Sequence, residues 1–387
     1  AAAKYAETSA WLVETFTELG RLDDAKRVGE EGRSVASRLL KLHPTHLQAL
    51  SARALLADSL ADIETNELDA ASGLALLDEA THDWAMLTQI DPSDVISWSN
   101  LGASRLSAAE VLLSLGRPRA AIARLGELQP IEAEAESSWM VAGVLNGNRA
   151  RMALLTGEIG DIRRSENLRR ESLEHFEVAT RDLSAESFEL PYWRLDSLVG
   201  DIDIALSQGN YRRARSIADG LRARIEQLAP PDDYAKQQKT ELLRRFHYGL
   251  ARADLRLDDL AAAEQNARAV VRYREQLPAR SMRERRAAAA DSTLAAIVLA
   301  RRGQLAEAQQ LIRPVMDFHR SLAAMQHDNQ TVKLEFIEAL YASALANPAR
   351  SAALLDEAQS LFSTLSPEMR ALRSAAYLRA RIAEARR

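Results

Sequence analysis

A short pattern returns eight times along this chain, and its spacing limits the fold more than any other feature. A Gly, Asn or Asp is followed five residues later by a small residue, usually Ala, that opens an apolar-periodic run. The clear copies are Gly20-Arg-Leu-Asp-Asp-Ala25, Gly116-Arg-Pro-Arg-Ala-Ala121, Gly209-Asn-Tyr-Arg-Arg-Ala214 and Gly303-Gln-Leu-Ala-Glu-Ala308. Weaker copies run from Asn66 to Ala71, Gly160 to Ser165, Asp258 to Ala263 and Asn347 to Ala352. Successive turn residues lie 44 to 50 residues apart, a period that belongs to stacked supersecondary units.

Each part of the pattern has a physical reason. Gly or Asn ends a helix where the backbone must turn left-handed, which a Cβ penalises. The small residue lets the second helix of a pair lie close against the first. Pro44, Pro92, Pro130, Pro230 and Pro278 follow second helices, where proline cannot continue a helix and restricts the residue before it. With 47% hydrophobic residues dominated by Ala and Leu and only 5% aromatics, helices are favoured over strands.

The expected fold is therefore all-α, one domain over 1–387. Its units fall at 1–44, 45–92, 93–130, 131–184, 185–230, 231–278, 279–326 and 327–366, with a capping helix at 367–387. The third unit's second helix, near 118–128, is expected to be short. The last helix, near 368–386, is expected to carry its Arg residues outward and to close the open end, as repeat arrays require. Trp11, Trp98, Trp139 and Trp193 fall on first helices and are read as core between repeats.

Turn Gly, small residue and closing Pro resemble the tetratricopeptide repeat, and Trp98-Ser-Asn-Leu-Gly102 resembles its opening Trp-x-x-Leu-Gly box. Trp139-Met-Val-Ala-Gly143 keeps the Trp and Gly with Ala for Leu. The family unit is about 34 residues; the longer units here are similar to the elongated repeats of bacterial regulatory proteins. The resemblance implies a right-handed superhelix (solenoid) of about eight hairpins whose first helices line a concave groove. It places Asn100 at the family's ligand-contacting Asn position, with capping or bridging of neighbouring helices as the alternative. It also turns Ser99 and Ser107, and by the second box Met140 and Asn148, into the groove, with Arg149 and Arg194 nearby. The Lys of the family's carboxylate clamp is absent, so that activity is not implied.

Chemistry is sparse. There is no Cys, so thiol nucleophiles and cysteine-ligated zinc are excluded. The pair His43-Pro-Thr-His46 straddles a Pro junction and reads as a loop, and no phosphate loop, dinucleotide fingerprint or nucleophile elbow occurs. Asp23-Asp24, Asp232-Asp233 and Asp258-Asp259 read as helix-start residues. Neither metal nor cofactor is expected. The net charge of −5, with Arg and Glu interleaved, gives no nucleic-acid footprint, and Arg212-Arg213-Ala-Arg215 and Arg283-Glu-Arg285-Arg286 read as solvated faces. The most apolar run, Ala287 to Ala300, is interrupted by Asp291, Ser292 and Thr293 and is too short to span a bilayer.

The leading functional expectation is a non-catalytic scaffold or sensor module of a larger bacterial regulator, cytoplasmic with the periplasm left open, holding a protein or peptide in the groove. The Ala-Ala-Ala start, with neither Met nor charged leader, reads as an excised or processed chain. A ligand-gated regulator and a self-associating structural protein are the alternatives.

Overall fold

The computed structural model describes residues 1–65, 69–127, 138–181, 188–279 and 281–387. These residues form eighteen α-helices and no strand. The first six are α1 (Ala2–Glu18), α2 (Leu22–Leu42), α3 (Leu47–Ile63), α4 (Ala70–Ile90), α5 (Val95–Ser114) and α6 (Pro118–Gly126). The next six are α7 (Trp139–Glu158), α8 (Ile162–Thr180), α9 (Glu189–Ser207), α10 (Tyr211–Glu226), α11 (Asp233–Arg256) and α12 (Leu260–Arg274). The last six are α13 (Met282–Arg301), α14 (Leu305–Met325), α15 (Gln330–Ala346), α16 (Ser351–Ser363), α17 (Pro367–Ala371) and α18 (Arg373–Ala385). Odd-numbered helices through α15 open a pair and even-numbered ones close it. The short α6 matches the expectation for the third unit.

The turns have the expected chemistry at six of the eight positions. Gly20, Gly116, Gly160, Gly209 and Gly303 all have positive φ, and Asp258 joins them at 62°. At each, the following residue's N–H reaches back five residues, as in Arg21 to Phe16 at 2.8 Å and Gln304 to Leu299 at 2.9 Å, and satisfies a carbonyl the helix end leaves open. The small residues Ala25, Ala121, Ser165, Ala214, Ala263 and Ala308 are fully buried. Asn66 and Pro130 lie outside the described residues.

Two weak copies behave differently. Asn347 has φ −126° because Pro348 follows it and disfavours anything but extended backbone. A 3₁₀ turn, Pro348–Arg350, then shifts the register, so Ala352 is exposed and Leu354, Leu355 and Ala358 are buried instead. In the second pair Asp69 caps α4 by accepting from the Ala71 N–H at 2.8 Å, which leaves Ala71 outside, and Gly73 becomes the buried small residue.

Most first helices begin on a side-chain cap: His46, Asp94, Asp232 and Asn329 accept backbone N–H groups, and Ser281 with Glu284 makes a reciprocal capping box. Asp232 and Asp259 are helix caps as read from the sequence, whereas Asp24 pairs with Arg21 and Arg27.

The described chain divides into two compact units, Ala1–Arg151 with Ser172–Ala179, and Met152–Glu171 with Thr180–Arg387. In the N-terminal unit, Leu40, Ala49, Leu50, Trp84, Trp98 and Leu101 form one core joining neighbouring pairs. In the C-terminal unit, Val199, Ile202, Leu221, Leu242, Phe246 and Leu250 do the same. Of the four tryptophans assigned to core, only Trp98 is buried, its indole N–H donating to the Pro92 carbonyl at 2.9 Å. Trp11, Trp139 and Trp193 are 67%, 42% and 43% exposed, so they are not core, a distinction that the Trp spacing alone does not make.

Side chains one period apart also meet. In the N-terminal unit Arg33 reaches Glu79 at 2.9 Å, Ser104 reaches Asp58 at 2.7 Å and Asn148 reaches the Gly102 carbonyl at 3.0 Å, each pair 46 residues apart. In the C-terminal unit Arg244 holds Asp291 at 2.6 Å across 47 residues and Arg286 holds Glu335 at 2.7 Å across 49. These bonds fix how far each pair slides on the next, which non-directional apolar packing leaves loose.

The helix expected over 368–386 is broken at Leu372, whose ψ of 141° stops α17 and starts α18. Together α17 and α18 cover the last pair through the buried Met369, Ala375, Leu378 and Ile382. The expectation that this segment carries its Arg residues outward holds for Arg373, which is exposed, and fails for Arg381, which is half-buried. Arg373 lies over Gly209, where a Cβ would meet its guanidinium, and Arg381 faces Tyr341.

Candidate functional site

The residues assigned from the sequence do not converge. On α5, Ser107 is exposed and Ser99 and Asn100 are half-buried, on or beside the exposed stripe formed with Ile96 and Ala103. The Asn100 amide makes no hydrogen bond to the described residues, so the helix-bridging role does not fall to it. That role belongs to Asn148, whose side chain is fully buried and donates to the carbonyls of Gly102 and Val144 at 3.0 and 2.9 Å. The expected turn of Asn148 into a groove is thereby corrected: the small Gly102 opposite it draws the amide into the helix interface. Met140 is exposed. Arg149 is bonded to His175, and Arg194 donates to the Thr180 carbonyl and hydroxyl at 2.9 and 3.2 Å, which ties it to the end of the preceding helix α8.

The C-terminal unit contains a different site. Three consecutive first helices each turn one stripe inward: Tyr248, Arg252 and Arg256 on α11; Leu294, Ile297 and Arg301 on α13; Leu334, Glu338 and Tyr341 on α15. Spacings of three and four residues put each set on a single helix face. Helix α18 lies against all three through Ser374, Tyr377, Leu378 and Arg381. Its Ser374 gives both backbone N–H and hydroxyl to Glu158 at the end of α7, at 2.9 and 2.8 Å, from 216 residues away. Tyr377 stacks on the Arg256 guanidinium, and Arg381 reaches Tyr341. A groove walled by first helices thus holds a helix of the same chain.

Between that helix and the walls remains a cavity of about 170 Å³. A smaller one adjoins it, sharing Arg252, Arg256 and Ser374 and adding Tyr211, Arg373 and Glu158. The main cavity presents four arginines, three tyrosines and one carboxylate, Glu338. Two arginines are neutralised: Arg301 by Asp258 and Arg381 by Glu384, at 2.6 and 2.7 Å. Arg252 comes only within 3.6 Å of Asp203. Arg256 has no ion pair among the described residues, and its buried Nη1 has no hydrogen-bond partner. Burial pushes the Arg256 guanidinium below its usual range and the Tyr248 and Tyr341 hydroxyls above theirs, since each prefers its neutral form away from water.

None of these residues stood out in the sequence. The stripe Tyr248, Arg252, Arg256 contains no carboxylate, and that is the one local signal that it is not a solvated ion-pair face. Among the described residues no group of three or more His, Asp or Glu could hold a metal ion, and no helix is long and apolar enough to cross a membrane.

Fold and site define an all-helical protein of repeated antiparallel hairpins, with its last helix returned into a groove of its C-terminal unit. No family model matches the chain, and no curated protein matches it in sequence. The chain is similar to the crystal structure of yeast Tom70 over 99% of its own length and 96% of that chain, at 12% identity and a TM-score of 0.23. At that score the likeness carries no argument, and the class rests on the turns and pairs described above.

Proposed function

We propose that this chain is a non-catalytic binding module of the tetratricopeptide type, whose C-terminal groove receives a helical segment of a protein partner. The observation that carries this reading is the seat of α18: an amphipathic helix lies across α11, α13 and α15, placing Tyr377 and Leu378 on the walls and Arg381 beside Tyr341. A groove that fits one helix by apolar anchors at three- and four-residue spacing is suited to another of similar pattern. The tetratricopeptide assignment is supported by the left-handed turn glycines, the buried small residue five positions on and the Trp98 to Gly102 box. The exposed stripe of α5 bearing Ser99, Asn100 and Ser107 is the second surface proposed for contact.

The test uses the full chain, a chain ending at Leu372, and a labelled peptide of residues 373–387. The shortened chain is expected to keep its helical signal and bind the peptide saturably, the full chain more weakly, and the shortened chain carrying Leu294→Arg not at all. A folded shortened chain that ignores the peptide would remove the groove from consideration.

A further inference from the structure

We propose that the cavity between α11, α13, α15 and α18 is a binding site for a small organic acid. Its carboxylate lies on Arg256 and Arg252, and its carbon skeleton lies against Leu294, Ile297 and Leu334.

The charge distribution is the first observation. Of the four cavity arginines, Arg301 and Arg381 hold carboxylates at 2.6 and 2.7 Å, Arg252 has the looser ion pair with Asp203 at 3.6 Å, and Arg256 holds none. Of the nearby carboxylates, Glu158 accepts both bonds from Ser374, and Glu338 faces Arg252 and Arg256 in the cavity without an ion pair to either among the described residues. An unpaired guanidinium away from water is costly unless an anion meets it, and the planar fork matches a carboxylate in two parallel hydrogen bonds.

The second observation is that Arg256 is held in place without an anion. Its guanidinium lies over the Tyr377 ring and 5.8 Å from the centre of Tyr211, so its donors are fixed by the rings rather than by a counter-charge. Nη1 is buried and unbonded. Such a group is positioned for a ligand that arrives later.

Size and lining give the class. A volume of about 170 Å³ corresponds to roughly six waters, hence to a molecule of a similar number of heavy atoms or slightly more. Leu255, Leu294, Ile297, Leu334 and Leu378 supply the apolar part of the wall, which rewards a hydrocarbon body over a bare inorganic oxyanion. The ligand touches α18 and the first helices together, so binding holds α18 in its groove. The inference stands independently of the partner reading above.

Isothermal titration of the full chain with hexanoate, benzoate, hexanol and inorganic phosphate tests it, with melting temperature as a second readout. Hexanoate or benzoate is expected to bind saturably and raise the melting temperature, with affinity at least tenfold lower in Arg256→Gln. Arg268→Gln, at an arginine that lies outside the cavity and pairs with Glu307 at 2.6 Å, is expected to bind as the wild type does. Circular dichroism establishes that both variants fold; if Arg256→Gln does not, Arg252→Gln takes its place with the same expected loss. Hexanol binding as tightly as hexanoate would overturn recognition of the charge, equal phosphate binding would overturn the organic class, and no saturable binding of either acid would overturn the site.

Discussion

The side-chain amide of Asn148 donates to the carbonyl of Gly102 at 3.0 Å, from a position 46 residues further along the chain. Helix α7 lies so close to α5 at this point that a Cβ on Gly102 would come within 2.3 Å of Val144 Cγ1. The corresponding glycine of the second Trp box, Gly143, has nothing within 4 Å of where its Cβ would be.

Alanine at these two glycines should therefore act with opposite sign. Gly102→Ala must push α7 away or twist the Val144 side chain, and overpacking of this kind costs about 1–3 kcal/mol. Gly143→Ala gains helix propensity of up to about 1 kcal/mol with no clash. Urea midpoints of the two variants check the prediction, and Gly102→Ala with Val144→Ala should recover part of the loss. A lowered midpoint in both variants would contradict the packing described.

Asp258 holds the left-handed turn conformation, φ 62°, that glycine holds at five equivalent turns. A Cβ there costs about 1–2 kcal/mol. The Asp258 carboxylate pairs with Arg301, but its side chain is 75% exposed, and such surface pairs contribute under about 1 kcal/mol. Asp258→Gly is expected to raise the melting temperature slightly, and Gly303→Ala to lower it. Calorimetry on both decides whether the turn geometry or the ion pair dominates at this position.

What was legible in the sequence is what local chemistry alone specifies. Gly20 and Gly303 announce their turns because no other residue adopts that backbone as cheaply, and Ala25 and Ala308 announce the close helix contact five residues on. Asn347 misleads because Pro348 overrides it. The chamber was illegible for another reason: Arg256 and Tyr377 lie 121 residues apart and meet only because α18 folds back. An Arg-rich terminal helix looks the same in sequence whether it faces water or a groove. Asn100 and Asn148 show the same limit between two neighbouring pairs. They sit at different positions on corresponding first helices, and only the approach of α5 to α7 decides which one is buried.

Asp291 reads in the sequence as an interruption of an apolar run, and in the fold it is 1% exposed, held by Arg244 at 2.6 Å and Arg274 at 2.9 Å. Removing the carboxylate leaves two guanidinium groups facing each other with Glu241 as their remaining partner. Breaking a buried pair in this way costs about 3–5 kcal/mol, whereas replacing all its members by apolar residues can be neutral. Asp291→Ala is expected to destabilise the C-terminal unit by about that amount. The triple variant Asp291→Leu, Arg244→Met, Arg274→Met should recover much of it. Chemical denaturation followed by hydrogen exchange on α11 and α13 separates the two outcomes.

Asp58 accepts from the Trp84 indole at 2.8 Å and from the Ser104 hydroxyl at 2.7 Å, yet burial still raises its carboxyl to about 6. A folded-state value above the unfolded one, 3.8, means that the folded state takes up the proton first. The resulting stabilisation is absent at pH 7.5, grows as pH falls through about 6 and is complete near the unfolded value. Asp58→Asn cannot titrate, so the wild type should gain on the variant between pH 7.5 and pH 5, while contributions of the other carboxylates cancel in the difference. The indole N–H resonance of Trp84 should titrate with the same midpoint, because its acceptor changes charge there. A stability difference that does not change across this range would show that Asp58 stays ionised in the fold, with its two donors outweighing burial.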